Sequence, residues 1–162
     1  MNEKIIYTTE NFKVCVPNKP HVSREDGGHI RIKPLYNEYE SRLDLPVDEA
    51  IEVMRLTMLV SEAMVNGMRK RGINIDRINY QENGNWAFLH NKKPHFHIHL
   101  YGRTKASKRN PWGEAIVFPD PDTDYYDSFI PFDDLDIKEI LDEIHRLENT
   151  DKYLIKNWHI DN

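Results

Sequence analysis

The chain has a single cysteine, Cys15, in 162 residues. An intramolecular disulfide is therefore impossible, and a reducing cytoplasm is the expected setting. Apolar runs are short. None approaches the ~20 residues needed to span a bilayer, so no membrane partner is expected. The first ten residues, MNEKIIYTTE, lack a signal-peptide pattern. A basic excess is missing as well. The formal net charge is −5, which argues against dedicated nucleic-acid binding, because that affinity comes largely from basic surface neutralising phosphates. There is no low-complexity stretch, no internal repeat and no HExxH zinc motif. With 39% hydrophobic and 30% charged residues, what remains is an ordinary globular composition. The length suits one domain over residues 1–162, whose mixed C-terminal tail covers about 150–162.

Several segments are legible along the chain. IIYTTENFKVCVP reads as two short strands joined by a polar turn at Thr9, Glu10 and Asn11. A loop rich in Pro, Asn, Ser and Gly follows. Gly27-Gly28 then opens a third strand, in which Ile30 and Ile32 face one way and His29, Arg31 and Lys33 the other. A helix is predicted over 46–70. Pro46, Asp48 and Glu49 suit its first turn, and Arg69, Lys70 and Arg71 its last, with Gly72 as the cap. Val47, Ile51, Met54, Met58, Val65 and Met68 recur at helical spacing and are expected to face the core. INIDRINYQ is a further strand, ENGN a turn and NWAFL a short strand. A second helix is predicted over 137–147, with Ile137, Ile140, Leu141, Ile144 and Leu147 as its stripe. Asp136 is its expected N-cap and Glu139 completes the capping box. About five strands, mostly joined by short turns, and two helices indicate an α+β fold with an antiparallel sheet.

Two charged segments carry little chemistry. Asp120, Asp122 and Asp124 have the opening spacing of an EF-hand, but Tyr125 stands where the loop needs Gly and Pro131 where it needs Glu. Arg103, Lys105, Lys108 and Arg109 could meet a polyphosphate, but runs of surface charge are usually solvated loops.

The informative stretch is PHFHIHLYGR, residues 94–103, in which His95, His97 and His99 alternate with Phe96, Ile98 and Leu100. Period-two alternation predicts a half-buried strand over 95–102, with the three imidazoles sharing an open face. Neighbouring histidines then lie ~6.6 Å apart along the strand, about right for gripping different atoms of one phosphate-sized group. Three readings compete. The histidines could decorate a solvated sheet face. They could hold a metal, since imidazole suits zinc, copper, iron or nickel, but no neighbouring carboxylate or thiolate completes a ligand set, so no metal and no cofactor is expected. They could act at phosphorus. An imidazole with an ordinary pKa of ~6.5 is mostly neutral at pH 7. It can attack phosphorus to form a phosphoramidate, while its neighbours donate hydrogen bonds to the developing charge.

His95-Phe96-His97-Ile98-His99-Leu100-Tyr101 resembles the His-φ-His-φ-His-φ-φ signature of the histidine triad family of nucleotide hydrolases and transferases. IIYTTENFKVCVP resembles that family's opening hairpin, and Gly28-His29-Ile30-Arg31-Ile32-Lys33-Pro34 its Gly-His strand. Asn79-Tyr80 and Gly84-Asn85 resemble elements found before the triad in some branches. The likeness covers roughly residues 3–103. It implies a nucleotidyl hydrolase or transferase acting at the α-phosphate of a nucleotide conjugate through a covalent nucleotidyl-histidine. The implied nucleophile is His97. His99 is implied to bond the phosphoryl or leaving-group oxygens, and His95 and His29 to orient the nucleophile and line the phosphate site. Asn79, Asn85 and Lys92 are implied substrate contacts, and Ile30 and Ile32 are implied to lie near the base or ribose. Family members are usually homodimers. The chain departs from the pattern after Pro34, where no second histidine follows, and at AFLHNKK (87–93), which looks like an insertion ending in Lys92 and Lys93. The leaving group therefore stays open between a dinucleoside polyphosphate, a nucleoside phosphoramidate and an adenylylated amine. The alternative is a non-enzymatic nucleotide-binding or metal-binding module on the same fold.

Overall fold

Strands with one apolar face need a partner layer, and the helices supply it. In the computed structural model, which describes residues 3–120 and 123–159, the strands are β1 (Glu3–Thr8), β2 (Phe12–Pro17), β3 (His29–Pro34), β4 (Arg77–Gln81) and β5 (Ile98–Arg103). They form one antiparallel sheet in the order β1-β2-β3-β5-β4. The helices are α1 (Val47–Lys70), a four-residue α2 (Trp86–Leu89) and α3 (Asp134–Leu147). Phe12, Val14, Ile30, Ile32, Phe96, Ile98 and Leu100 point into one core shared with α1 and α3. The fold is α+β, as the strand count and short turns indicate. No described helix is long and apolar enough to cross a membrane.

Four local expectations differ from the structure. The ladder of β5 begins at Ile98, not His95, because the pairing with β3 ends at Ile32–Ile98 and that with β4 at Gln81–His99. The Phe96 N–H instead donates to the Tyr39 carbonyl at 2.6 Å, which keeps the preceding stretch against the protein. NWAFL contains the helical turn α2 rather than a strand. A run this short carries too little periodicity to decide. The α1 stripe is rotated from the predicted one: Val47 and Met54 are exposed, while Val53, Leu56, Val60, Ala63, Met64 and Met68 are buried. This helix packs on the sheet and on α3 together, so its buried arc is wider than one stripe. Finally, α3 starts one turn early. Asp133 is its N-cap and Asp136 closes the capping box. The predicted stripe survives, with Ile137, Ile140, Ile144 and Leu147 all buried.

Asp136 also joins three parts of the fold. Its carboxylate has no solvent exposure. It accepts from Arg24 Nε, from Arg24 Nη2 at 2.7 Å and from Arg71 Nε at 2.9 Å. The loop before β3 is thereby fastened to the ends of α1 and α3. Burial pushes this carboxyl up, but the bonds from Arg24 and Arg71 outweigh it and hold the group below its usual range. The tail is docked as far as it is described. Arg55 Nε donates to the Tyr153 carbonyl at 2.6 Å and Tyr153 donates to Glu62 at 2.7 Å. Residues 160–162 of the tail, and Asp122 of the acidic loop, lie outside the described residues.

One backbone crossing brings β3 and β5 together. Gly27 has φ +123° and lies directly against Gly102, whose N–H donates to the Gly28 carbonyl at 3.0 Å. A Cβ on Gly102 would land inside the Gly27 carbonyl, where only backbone could yield. Gly102→Ala should therefore cost about 3 kcal/mol, the upper end for overpacking. Urea unfolding checks this. An unchanged midpoint would mean the two strands separate freely.

Candidate active site

The polar face of the sheet gathers five histidines. His29 on β3 and His99 on β5 point away from the core, as alternation requires. His97 precedes β5 on the same side. The His97 ring lies 4.6 Å from that of His95, stacked, and 4.5 Å from that of His99, edge-on, between centroids. The fifth is His21, which the sequence did not single out. Its ring stacks on His29 at 5.0 Å and lies 5.4 Å from His99. Loop 18–28 holds it there. The Arg24 N–H donates to the Ile130 carbonyl at 2.8 Å, and the Ile130 N–H donates to Ser23 Oγ at 2.9 Å.

Hydrogen bonds fix which ring nitrogen carries each proton. The His21 backbone N–H can only donate, and it meets His29 Nδ1 at 3.1 Å. Neutral His29 must then carry its proton on Nε2, which faces His99 Nδ1 at 2.8 Å. His99 accepts there, so its own proton sits on Nε2. His97 is set the opposite way. Its Nδ1 lies 2.8 Å from the His95 carbonyl, which can only accept. His97 therefore donates through Nδ1 and keeps a lone pair on Nε2. Among the described residues, one ring is thus left with a lone pair to offer and its neighbour with an N–H to offer.

The expected open face is largely closed. His97 and His99 are buried, and His95 is the exposed member. The segment following β5 lies over the far end. Tyr101, Val22, Ile116 and Phe118 pack together, and Arg103 Nη2 pins the segment by donating to the carbonyls of Asn110, Pro111 and Glu114. The basic cluster predicted there is dispersed: Arg103 is buried, and Arg109 pairs with Glu25 and Asp26. At the near end a cavity of about 430 Å³ opens beside His95, with Lys13, Lys33, Tyr39 and Lys93 in its wall.

Burial lowers the pKa of every ring in the cluster. It pushes His97 and His21 down to about 4, and His29 and His99 well below the usual value, with Arg31 adding to the effect in each case. His95 is lowered less, by burial and then Lys33 and Arg31. Arg31 is itself buried on β3 directly opposite His99, and its Nη2 donates to Glu3 at 2.6 Å. These shifts carry a stability consequence. In the unfolded chain the imidazoles take up protons near pH ~6.5, whereas His97 and His21 in the fold resist until about 4. The unfolded state thus binds more protons between those values, and stability should fall as pH drops from about 6.5 towards 4. Urea midpoints at pH 7 and pH 5 measure this. A midpoint that rises on acidification would contradict the buried neutral cluster.

The remaining predicted contacts are scattered. Asn79 shares the histidine face but stands opposite Tyr101, beside a separate cavity of about 260 Å³ with Arg77, Arg103 and Trp112. Gln81 is the β4 residue opposite His99, and its buried Oε1 has no partner among the described residues. Asn85 and Lys92 lie exposed on the loop carrying α2. Ile30 and Ile32 require correction. Both are fully buried in the core on the opposite side of the sheet, since they alternate with His29 and Arg31, and they cannot line a base or ribose on the histidine face. His21, His29 and His99 each bring a nitrogen within 4.8 Å of the others, a set able to surround a metal ion. A metal would have to displace one of the two hydrogen bonds of His29, because both of its ring nitrogens are engaged.

No protein-family model and no curated relative matches the sequence. Solved structures do match. A hypothetical histidine triad nucleotide-binding protein from Sulfolobus tokodaii strain7 superposes with a TM-score of 0.60 at 17% identity, over 94% of this chain and 90% of that one. A Zn-bound histidine triad family protein from Mycobacterium smegmatis gives 0.55 at 21% identity, over 91% and 88%. A Hit-like protein involved in cell-cycle regulation from Bartonella henselae gives 0.55 at 15%, over 88% and 87%. The chain therefore has the histidine triad fold.

Proposed function

We propose that this protein is a nucleotidyl hydrolase or transferase that works through a covalent His97 intermediate. The observation that carries the reading is the opposed protonation of two adjacent rings, with a lone pair on His97 Nε2 and a proton on His99 Nε2. His97 Nε2 attacks the α-phosphorus of a nucleotide conjugate. A P–N bond forms as the bond from phosphorus to the leaving atom breaks, and that atom departs with the electron pair. His99 Nε2–H supplies the hydrogen bond that the developing negative charge needs. Water or another acceptor then attacks the same phosphorus, frees His97 and completes hydrolysis or transfer.

The supporting residues follow from position. His29 holds the His99 tautomer, and the His95 carbonyl holds that of His97. Burial, with Arg31 adding to it, keeps the rings neutral, so the nucleophile is not lost to protonation. Nucleotide as the substrate class draws on the likeness to the hypothetical nucleotide-binding protein from Sulfolobus tokodaii. Asn79, Asn85 and Lys92 are candidate contacts for the rest of the substrate. A reducing cytoplasm suits Cys15, whose thiol burial and then Glu3 push up to about 11. The homodimer implied by the resemblance is tested by sedimentation. The function is tested by presenting purified protein with dinucleoside polyphosphates and nucleoside phosphoramidates, with His97→Ala as control. Nucleotide release from at least one class, absent in the variant, is expected. Release equal in the variant would refute it.

A further inference from the structure

The loop 82–94, which carries α2 and the 87–93 stretch, takes no part in the phosphorus chemistry above. Its helix α2 reads Trp-Ala-Phe-Leu, yet none of these residues is buried, and Phe88 and Leu89 are exposed by 66% and 71%. An apolar turn that serves no core is an exposed apolar surface in want of a cover. It does not lie at random. The Trp86 ring sits edge-on to His21 at 5.7 Å, with planes at 64°. A second half-buried ring, Phe118 of the segment after β5, meets the same histidine edge-on at 6.0 Å and 65°. His21 itself is covered by His29, stacked at 5.0 Å, and approached by Tyr126 at 5.1 Å, so it braces the two outer rings and has no face to offer.

Two segments outside the sheet thus deliver partly exposed aromatic rings to one point, and that point adjoins the phosphate chemistry, since His21 lies 5.4 Å from His99. We propose that Trp86 and Phe118 form a stacking site for the planar heteroaromatic base of the substrate. This deepens the proposed function and rests on it. Stacking on an aromatic side chain is worth about 1–3 kcal/mol per base, or roughly 5- to 150-fold in affinity, and tolerates any base because each has a π-face. The loop carrying α2 is therefore the element that holds the nucleoside end, while the histidines hold its phosphate. No charged group is required, which suits a neutral base.

The test measures binding without turnover, in the full-length His97→Ala chain, with AMP and the base-less ribose 5-phosphate as probes. AMP should bind about tenfold or more tightly than ribose 5-phosphate. Adding Trp86→Leu, a change at a surface turn that leaves the core alone, should remove most of that preference and leave ribose 5-phosphate affinity unchanged. A version retaining Trp86 as the one tryptophan, by Trp112→Phe and Trp158→Phe, should show emission altered by AMP and not by ribose 5-phosphate. If both probes bind equally well, or if the AMP preference persists with Trp86→Leu and Phe118→Leu combined, the stacking site is wrong and the phosphate chemistry stands. If neither probe binds at all, both fail.

Discussion

His97→Ala should turn over nucleotide conjugates at essentially the background rate, while still binding AMP. The substitution removes the lone pair at Nε2 and with it the covalent route. The loss should be unequal across the cluster. His99→Ala removes one hydrogen bond to developing charge, which typically costs ~10²–10³-fold, so it should be slow and measurable. His29→Ala should fall lower in the order, because it acts only by holding His99. The pH profile gives an independent check on the same ring. Burial, with Arg31 assisting, keeps His97 deprotonated down to about 4, so the acid limb of the rate should lie near that value and not near the ~6.5 of a free imidazole. Removing the cation with Arg31→Met should move the limb upward. Steady-state rates from pH 4 to 8 decide this, and a limb that stays fixed in the Arg31 variant would remove Arg31 from the account.

Asp136→Ala should be the most destabilising single change away from the site, by about 3 kcal/mol or more. The carboxylate is wholly buried and receives both Arg24 and Arg71. Without it, two guanidinium groups lose their shared partner and the α3 capping box loses one of its two arms. Asp136→Asn keeps the shape and loses the charge, so it should fall between. The paired state depends on an ionised carboxylate. Its pKa in the fold lies below the ordinary value, so its contribution is full above an unfolded value of ~3.9 and fades as pH falls through the folded one. Chemical denaturation at pH 7 measures the first effect. An Asp136→Ala protein as stable as its parent would mean the two arginines find equivalent partners.

What could be read from the chain alone tracks how local each signal is. The triad and the Gly-His strand are visible because period-two alternation is a property of consecutive residues: His29, Arg31 and His99 do share one face, and the His97 ring lies against that of His99. Long helices are visible for the same reason, but the phase of α1 was not, because its buried arc answers to α3 as well as to the sheet. His21 and Gln81 were missed. Nothing around His21 repeats, and its place depends on bonds to Ile130, more than a hundred residues away. Gln81 gains its meaning from lying opposite His99 on a neighbouring strand, and such register cannot be read from one strand. Ile30 and Ile32 were overread as contacts, although their own alternation already assigned them to the core. The closure of the histidine face by Tyr101, Ile116 and Phe118 likewise rests on packing between distant segments.

The central claim is that His97 becomes covalently nucleotidylated, and rapid-quench trapping with an α-phosphorus-labelled substrate tests it most directly. The protein is quenched within the first turnover, digested at alkaline pH, where a phosphoramidate survives, and the peptides are mapped. Label on the peptide carrying residues 95–99, assigned to His97 and absent from His97→Ala, is the predicted result. Label on any other residue, or full turnover by His97→Ala, would contradict the mechanism.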